Sequence, residues 1–149
     1  MMLGPEFRLH KPYKLVDLKP AYGELFQDKL GEFDFWGYTD MDVLYGDLKC
    51  WFTDDLLHQY DVITTSDRIL ADHLTLIRND PDNCRLYRIP ENYMEVLFDE
   101  KAHGYDEQGF NRCMPQLAQN NQLRLFQKNL KEEDMLMRLN GRPRFLIVW

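Results

Sequence analysis

From Pro12 onward the apolar residues of "KPYKLVDLKPAYGELFQDKL" recur at helical spacing, at Leu15, Leu18, Tyr22, Leu25, Phe26 and Leu30. Pro20 interrupts that run, because it lacks a backbone donor and holds Lys19 away from helical angles. Two short helical pieces are therefore predicted, with Pro20 in the first turn of the second. After Gly31 the spacing changes, and "FDFWGYTD" reads as a short, buried, aromatic strand ending at Asp40. "TDDLLHQY" reads as an amphipathic helix capped by Thr53, with acidic residues in the first turn where the helix dipole favours them. "DVITTS" and "HLTLIRN" are two further strands. Helix is predicted from Asp80 and Pro81 and again through "PENYMEVLF" up to Phe98. "DEKAHGYDEQG" reads as a polar loop, "FNRCMPQLAQNN" as a helix despite Pro115, and "QLRLF" and "RFLIVW" as the last strands. Strands and helices alternate without an internal repeat, which predicts an α/β domain.

The 149 residues suffice for one domain with a real core. Hydrophobic residues at 44% and charged residues at 29% separate the chain from disordered sequences. Acidic residues outnumber basic ones, 25 to 18, and the basic residues are scattered apart from a tail cluster around Arg142 and Arg144. A nucleic-acid partner is not expected, since phosphate-backbone binding needs a concentrated basic face. The cysteines, Cys50, Cys84 and Cys113, form no Cys-x-x-Cys pair and suit buried thiols in a reducing compartment. No run approaches the roughly 18 apolar residues of a membrane span, and the N-terminus has no signal-peptide pattern, so the cytoplasm is the default location. The opening "MMLGPEFRLH" has no periodicity, and residues 1–11 read as a tag-like start ahead of a single domain over 12–149.

Asp40 and Asp42 carry the candidate chemistry. Residues i and i+2 of a strand project to one side, so two carboxylates converge where the aromatic strand leaves the sheet. Their repulsion raises a pKa unless a cation sits between them. Carboxylate oxygens suit hard ions such as Mg²⁺ or Mn²⁺, which keep coordination positions open for phosphates. The crevice beyond the carboxyl ends of strands is also where open α/β sheets bind ligands. By local rules alone, Asp40 beginning a turn and Asp42 capping a helix would account for the same pair.

Together, "KPYKLVDLKPAYGELF", "FDFWGYTDMDVLYGDL", "HLTLIRN" and "YDEQGFN" resemble a bacterial family related to glycosyltransferases of the GT-A fold, found with polysaccharide and lipopolysaccharide biosynthesis. The matching positions are Lys14, Asp17, Lys19, Tyr38, Asp40 and Asp42. The resemblance implies a GT-A-like, Rossmann-like fold and a Mn²⁺- or Mg²⁺-dependent transfer of a sugar from a nucleotide-diphosphate donor to a saccharide acceptor. It implies Asp42 as a direct metal ligand, Asp40 on the metal or the donor, and Asp17 and Lys19 on donor sugar and phosphate. His73 is implied as a further metal or sugar contact, and Asp106 or Glu107 as the carboxylate serving the acceptor hydroxyl. A lipid-linked acceptor would bring the protein to the inner face of the membrane.

Simpler roles stand beside these: a solvated helix end for Asp17 and Lys19, a backbone-satisfied imidazole for His73, surface for His58, a loop position for His103. Trp36, Tyr38, Tyr45 and Trp51 serve either as core or as a stacking surface for a sugar face. The resemblance also places strand and helix units for the nucleotide base ahead of Pro12, where this chain has about ten residues. The expectation is thus an N-terminally truncated domain whose uncovered sheet edge favours self-association. Two other readings stay open, a non-catalytic sugar-binding or assembly module and a metal-dependent phosphoester hydrolase.

Overall fold

Pro20 divides the N-terminal helical run, but Lys19 ahead of it keeps helical angles (φ -48°, ψ -49°) and not the extended ones expected of a residue before proline. The chain tightens there into a 3-10 turn. In the computed structural model, which describes residues 7–9, 11–40, 43, 45, 47–66 and 74–128, a 3-10 turn Pro12–Lys14 leads into helix α1 (Leu15–Leu18). A second 3-10 turn, Lys19–Ala21, carries Pro20 at its start and opens onto α2 (Tyr22–Leu25) and α3 (Gln27–Leu30). The break rotates the pieces off a common face. Leu18 and Ala21 are buried, whereas Leu15 and Phe26 remain 43% and 49% exposed.

Strands β1 (Phe35–Thr39), β2 (Val62–Thr64), β3 (Leu74–Arg78) and β4 (Leu125–Gln127) form a mixed sheet in the order β1-β3-β2-β4. β3 is antiparallel to both β1 and β2, and β2 is parallel to β4. Three strands therefore run one way, with β3 reversed between them, and the carboxyl ends of β1, β2 and β4 share one side of the sheet. The expectation of an α/β fold holds as a mixed α/β domain with a small mixed sheet.

The register sets Trp36 opposite Ile77 and Tyr38 opposite Thr75, with Val62 and Thr64 completing the same face. That face is buried under Leu18, Ala21, Tyr87, Leu97, Phe110 and Met114. On the other face the Arg78 guanidinium lies 4.7 Å from the centre of the Phe35 ring, and Trp51, Phe52 and Leu56 face Ile63 and Phe126 across a cavity of about 150 Å³. β1 is thus buried on alternate residues and not throughout. Helix α4 (Asp54–Gln59) begins at Thr53, whose Oγ1 accepts from the Leu56 amide at 3.3 Å, as its N-cap chemistry predicts. Asp61 joins the strands, accepting from Arg78 Nε at 3.2 Å and from the Arg124 amide at 3.0 Å.

Two stretches differ from expectation. The region after Pro81 is a 3-10 helix, Asn83–Arg88, before α5 (Tyr93–Phe98), with the Asp80 carboxylate capping the amides of Asp82 and Asn83. The loop "DEKAHGYDEQG" ends early, because Asp106–Phe110 forms a π-helical turn running straight into α6 (Asn111–Gln119). The Phe110 amide donates to the Tyr105 carbonyl at 2.8 Å. Both aromatics are buried, at 0% and 1% exposure, so the five-residue turn answers a spacing of core residues that polar composition hides. Cys84 is buried, while Cys50 is exposed and Cys113 half-buried, which corrects the expectation of three buried thiols. Cys50 ends a 3-10 turn at the surface, capped by Asp47. "RFLIVW" lies outside the described residues.

Gly23 sits on the Trp36 indole, and an added Cβ would stand 2.4 Å from Trp36 Cε2. The Gly23→Ala variant is expected to lose about 1–3 kcal/mol through overpacking, read as a lower urea midpoint at unchanged slope; a midpoint equal to the parent's would contradict this packing.

Candidate functional site

The turn at Lys19–Ala21 aims the Lys19 side chain at the carboxyl end of β1. Its ammonium donates to Asp40 Oδ1 at 2.7 Å and lies 3.4 Å from Asp106 Oδ2. Lys19 and Asp106 are nearly enclosed, with side chains 14% and 4% exposed, whereas Asp40 is 41% exposed. One cation thus joins a strand-end carboxylate that meets solvent to a buried one on the π-helical turn. Burial works against the charge of Lys19, but the hydrogen bond to Asp40 and the charges of Asp106 and Asp40 outweigh it and raise its pKa above the ordinary value.

Burial pushes the Asp106 carboxyl up from 3.8 to about 6, although Lys19 and the Glu107 amide pull it down. That amide donates to Asp106 Oδ1 at 3.1 Å. The Tyr38 and Tyr22 hydroxyls are both raised, chiefly by burial, with the charge of Asp106 adding to each. The two tyrosines therefore belong to the cluster's walls. Tyr22 was not singled out for this role by the sequence, where it reads only as an apolar position of the helical run.

Asp17 has a different setting from Lys19. It is fully buried, at 0% exposure, and its carboxylate accepts from Lys14 Nζ at 2.8 Å, from the Tyr105 amide at 2.8 Å and from the His103 amide at 3.0 and 3.1 Å. Neither a solvated helix end nor a carboxylate open to solvent describes this geometry. Lys14 also donates to the carbonyls of Val96 and Lys101. A Lys and Asp at i and i+3 on a helical turn are the sequence signal for that contact.

Between the two adjacent acidic candidates the turn decides orientation: Asp106 points inward to Lys19, and Glu107 is exposed. His103 is exposed, with Nε2 2.6 Å from Asp99 Oδ2, and His58 is exposed on α4. Trp36 and Tyr38 belong to the core, while Tyr45 and Trp51 are half-buried. Asp42 and His73 lie outside the described residues. Among the described residues no group of three or more His, Cys, Asp or Glu is gathered closely enough to hold a metal ion. Nor is any described helix long and apolar enough to cross a membrane.

The fold and site define a mixed α/β domain with a lysine-bridged carboxylate pair at the carboxyl end of a strand. The chain belongs to a family of unknown function, DUF6625, whose family model matches residues 2–144 and so includes the segment ahead of Pro12. No curated protein and no solved structure matches it.

The folded chain holds the Asp106 proton more tightly than the unfolded chain does. Its contribution to stability is therefore complete below about pH 4 and is lost as pH rises through about 6. Asp106→Asn, which copies the neutral acid, is expected to be more stable than the parent at pH 8, by on the order of 1–2 kcal/mol. At pH 4 the thermal midpoints should converge; a constant gap across that range would refute the assignment.

Proposed function

We propose that the chain is a metal-dependent glycosyltransferase of GT-A-like architecture, moving a sugar from a nucleotide-diphosphate donor to a saccharide acceptor in cell-surface polysaccharide biosynthesis. The observation that carries the reading is Lys19 held between Asp40 and Asp106 at the carboxyl end of β1, on the side of the sheet where β2 and β4 also end. That side of an open α/β sheet is where ligands bind. The residues there also have the chemistry of a diphosphate site.

Asp40 offers hard oxygen to a Mg²⁺ or Mn²⁺ ion from a position open to solvent, and Asp42 follows it by two residues in the sequence. Asp40 and Asp42 would hold the ion, with His73 as the further candidate. Bound there, the ion would neutralise charge building on the departing diphosphate. Lys19 would turn part of its donor capacity from the carboxylates to a phosphate oxygen, a contact that a flexible ammonium makes well. Asp106, titrating at about 6, is ionised at neutral pH yet retains enough proton affinity to accept a proton from an acceptor hydroxyl. As that hydroxyl oxygen bonds to the sugar's anomeric carbon, the bond from that carbon to the phosphate oxygen breaks and its electron pair leaves with the nucleoside diphosphate. If the sugar's configuration is retained, the same carboxylate positions substrate. The acceptor, when lipid-linked, would place this reaction at the inner face of the membrane.

Calorimetric titration of UDP-sugars with and without Mn²⁺ tests the reading. Binding is expected only with the ion, is expected to disappear on chelation and in Asp42→Asn, and should weaken about 10- to 100-fold in Lys19→Met, the span of one charged hydrogen bond. Absence of nucleotide binding under all conditions would favour the sugar-binding or assembly module instead. Hydrolysis of a simple phosphoester with no nucleotide-sugar preference would favour the hydrolase.

A further inference from the structure

Three separate pieces of chain meet at the Lys14–Asp17 ion pair: the N-terminal helical arm, α5 through the Val96 carbonyl, and the loop 99–105. Lys14, itself 2% exposed, joins Asp17 to the carbonyls of Val96 and Lys101. Asp17 in turn takes the amides of His103 and Tyr105. Between those amides lies Gly104, with φ of +62°, a left-handed conformation that costs glycine little. The carboxylate therefore clasps the two sides of one tight turn, and Asp106 is the residue immediately after it. The π-helical turn begins there, anchored by the Tyr105 hydroxyl on the Tyr87 carbonyl and by Phe110 in the core.

We propose that Lys14 and Asp17 are positioning residues that act through the backbone at His103 to Tyr105 to hold Asp106 against Lys19. The geometry has a directional logic. Asp17 and Lys19 leave the same short helical arm two residues apart, one turned into the protein and one toward the strand end. The arm thus supplies both the clasp on the turn and the cation that the turn's carboxylate faces. Asp106 is thereby tied to the arm twice, through the clasped turn that precedes it and through the Lys19 ammonium that it faces. Among the described residues, the charged and titratable groups that act on Asp106 are Lys19, Tyr22, Tyr38 and the adjoining Glu107, and Asp17 acts on it through backbone.

For turnover the inference rests on the transferase reading; for the placement of Asp106 it does not. The test compares the parent with Asp17→Asn, which retains an acceptor oxygen but loses the charge that Lys14 meets. Folding is checked by near-ultraviolet circular dichroism, amide exchange is read at His103 and Tyr105, and the Asp106 carboxyl is titrated by carbon-13 chemical shift. Faster exchange at both amides is expected, together with movement of the Asp106 midpoint from about 6 toward the ordinary 3.8. If the parent transfers sugar, kcat should fall at least tenfold with donor KM changed less than threefold. A folded variant with faster exchange and an unmoved Asp106 midpoint overturns the proposal, because the clasp would then be structural only. Failure of the transferase reading shows separately, as a parent without turnover whose titration still responds to Asp17→Asn. Should Asp17→Asn not fold, Gly104→Ala strains the same turn with the ion pair intact, and nothing lies within 4 Å of its added Cβ. Its Asp106 midpoint should move the same way by a smaller amount, and an unmoved midpoint there also overturns the proposal.

Discussion

The buried ion pair of Lys14 and Asp17 is the constraint on which the rest of the arrangement depends. Removing two charges from water is costly, and the pair persists only because both ends are supplied with further hydrogen bonds, carbonyls for the ammonium and amides for the carboxylate. Those partners come from chain more than eighty residues away. Satisfying the pair therefore decides the path of the loop after α5. It also decides where the π-helical turn starts, and hence which acidic side chain of that turn enters the protein.

The sheet supplies the other half of the site. Reversing β3 between β1 and β2 brings three carboxyl ends to one side while keeping hydrogen bonding continuous across the four strands. Trp36 and Tyr38 are clamped beneath the helical arm, and Gly23 permits that close approach. With β1 fixed in this way, Asp40 emerges beside Lys19 at partial exposure. The resulting cluster has a wet end at Asp40 and a dry end at Asp106, and the dry end is the one whose proton affinity is raised.

Local chemistry was legible wherever a residue acts on its immediate neighbours. Pro20 announces the break in the arm, Thr53 announces the start of α4, and the β-branched and aromatic runs announce β1, β2 and β3. The π-helical turn was not legible, because "YDEQG" has the composition of a loop and the burial of Tyr105 and Phe110 comes from remote packing. The same limit applies to the candidate site. Naming Asp17, Lys19, Asp40 and the Asp106 and Glu107 pair as candidates says nothing about which way each one points.

By itself, then, the sequence determined the break in the arm, the cap of α4 and the strand that delivers Asp40, since propensity, proline chemistry and side-chain period operate over a few residues. Tertiary structure alone decided that Asp17 faces inward and Lys19 toward the strand end, that Asp106 enters while Glu107 stays in solvent, and that Cys50 is exposed. These outcomes depend on desolvation and on partners distant in the chain. A charged side chain's cost or benefit is settled only when the fold has determined how much water it loses and which groups replace that water.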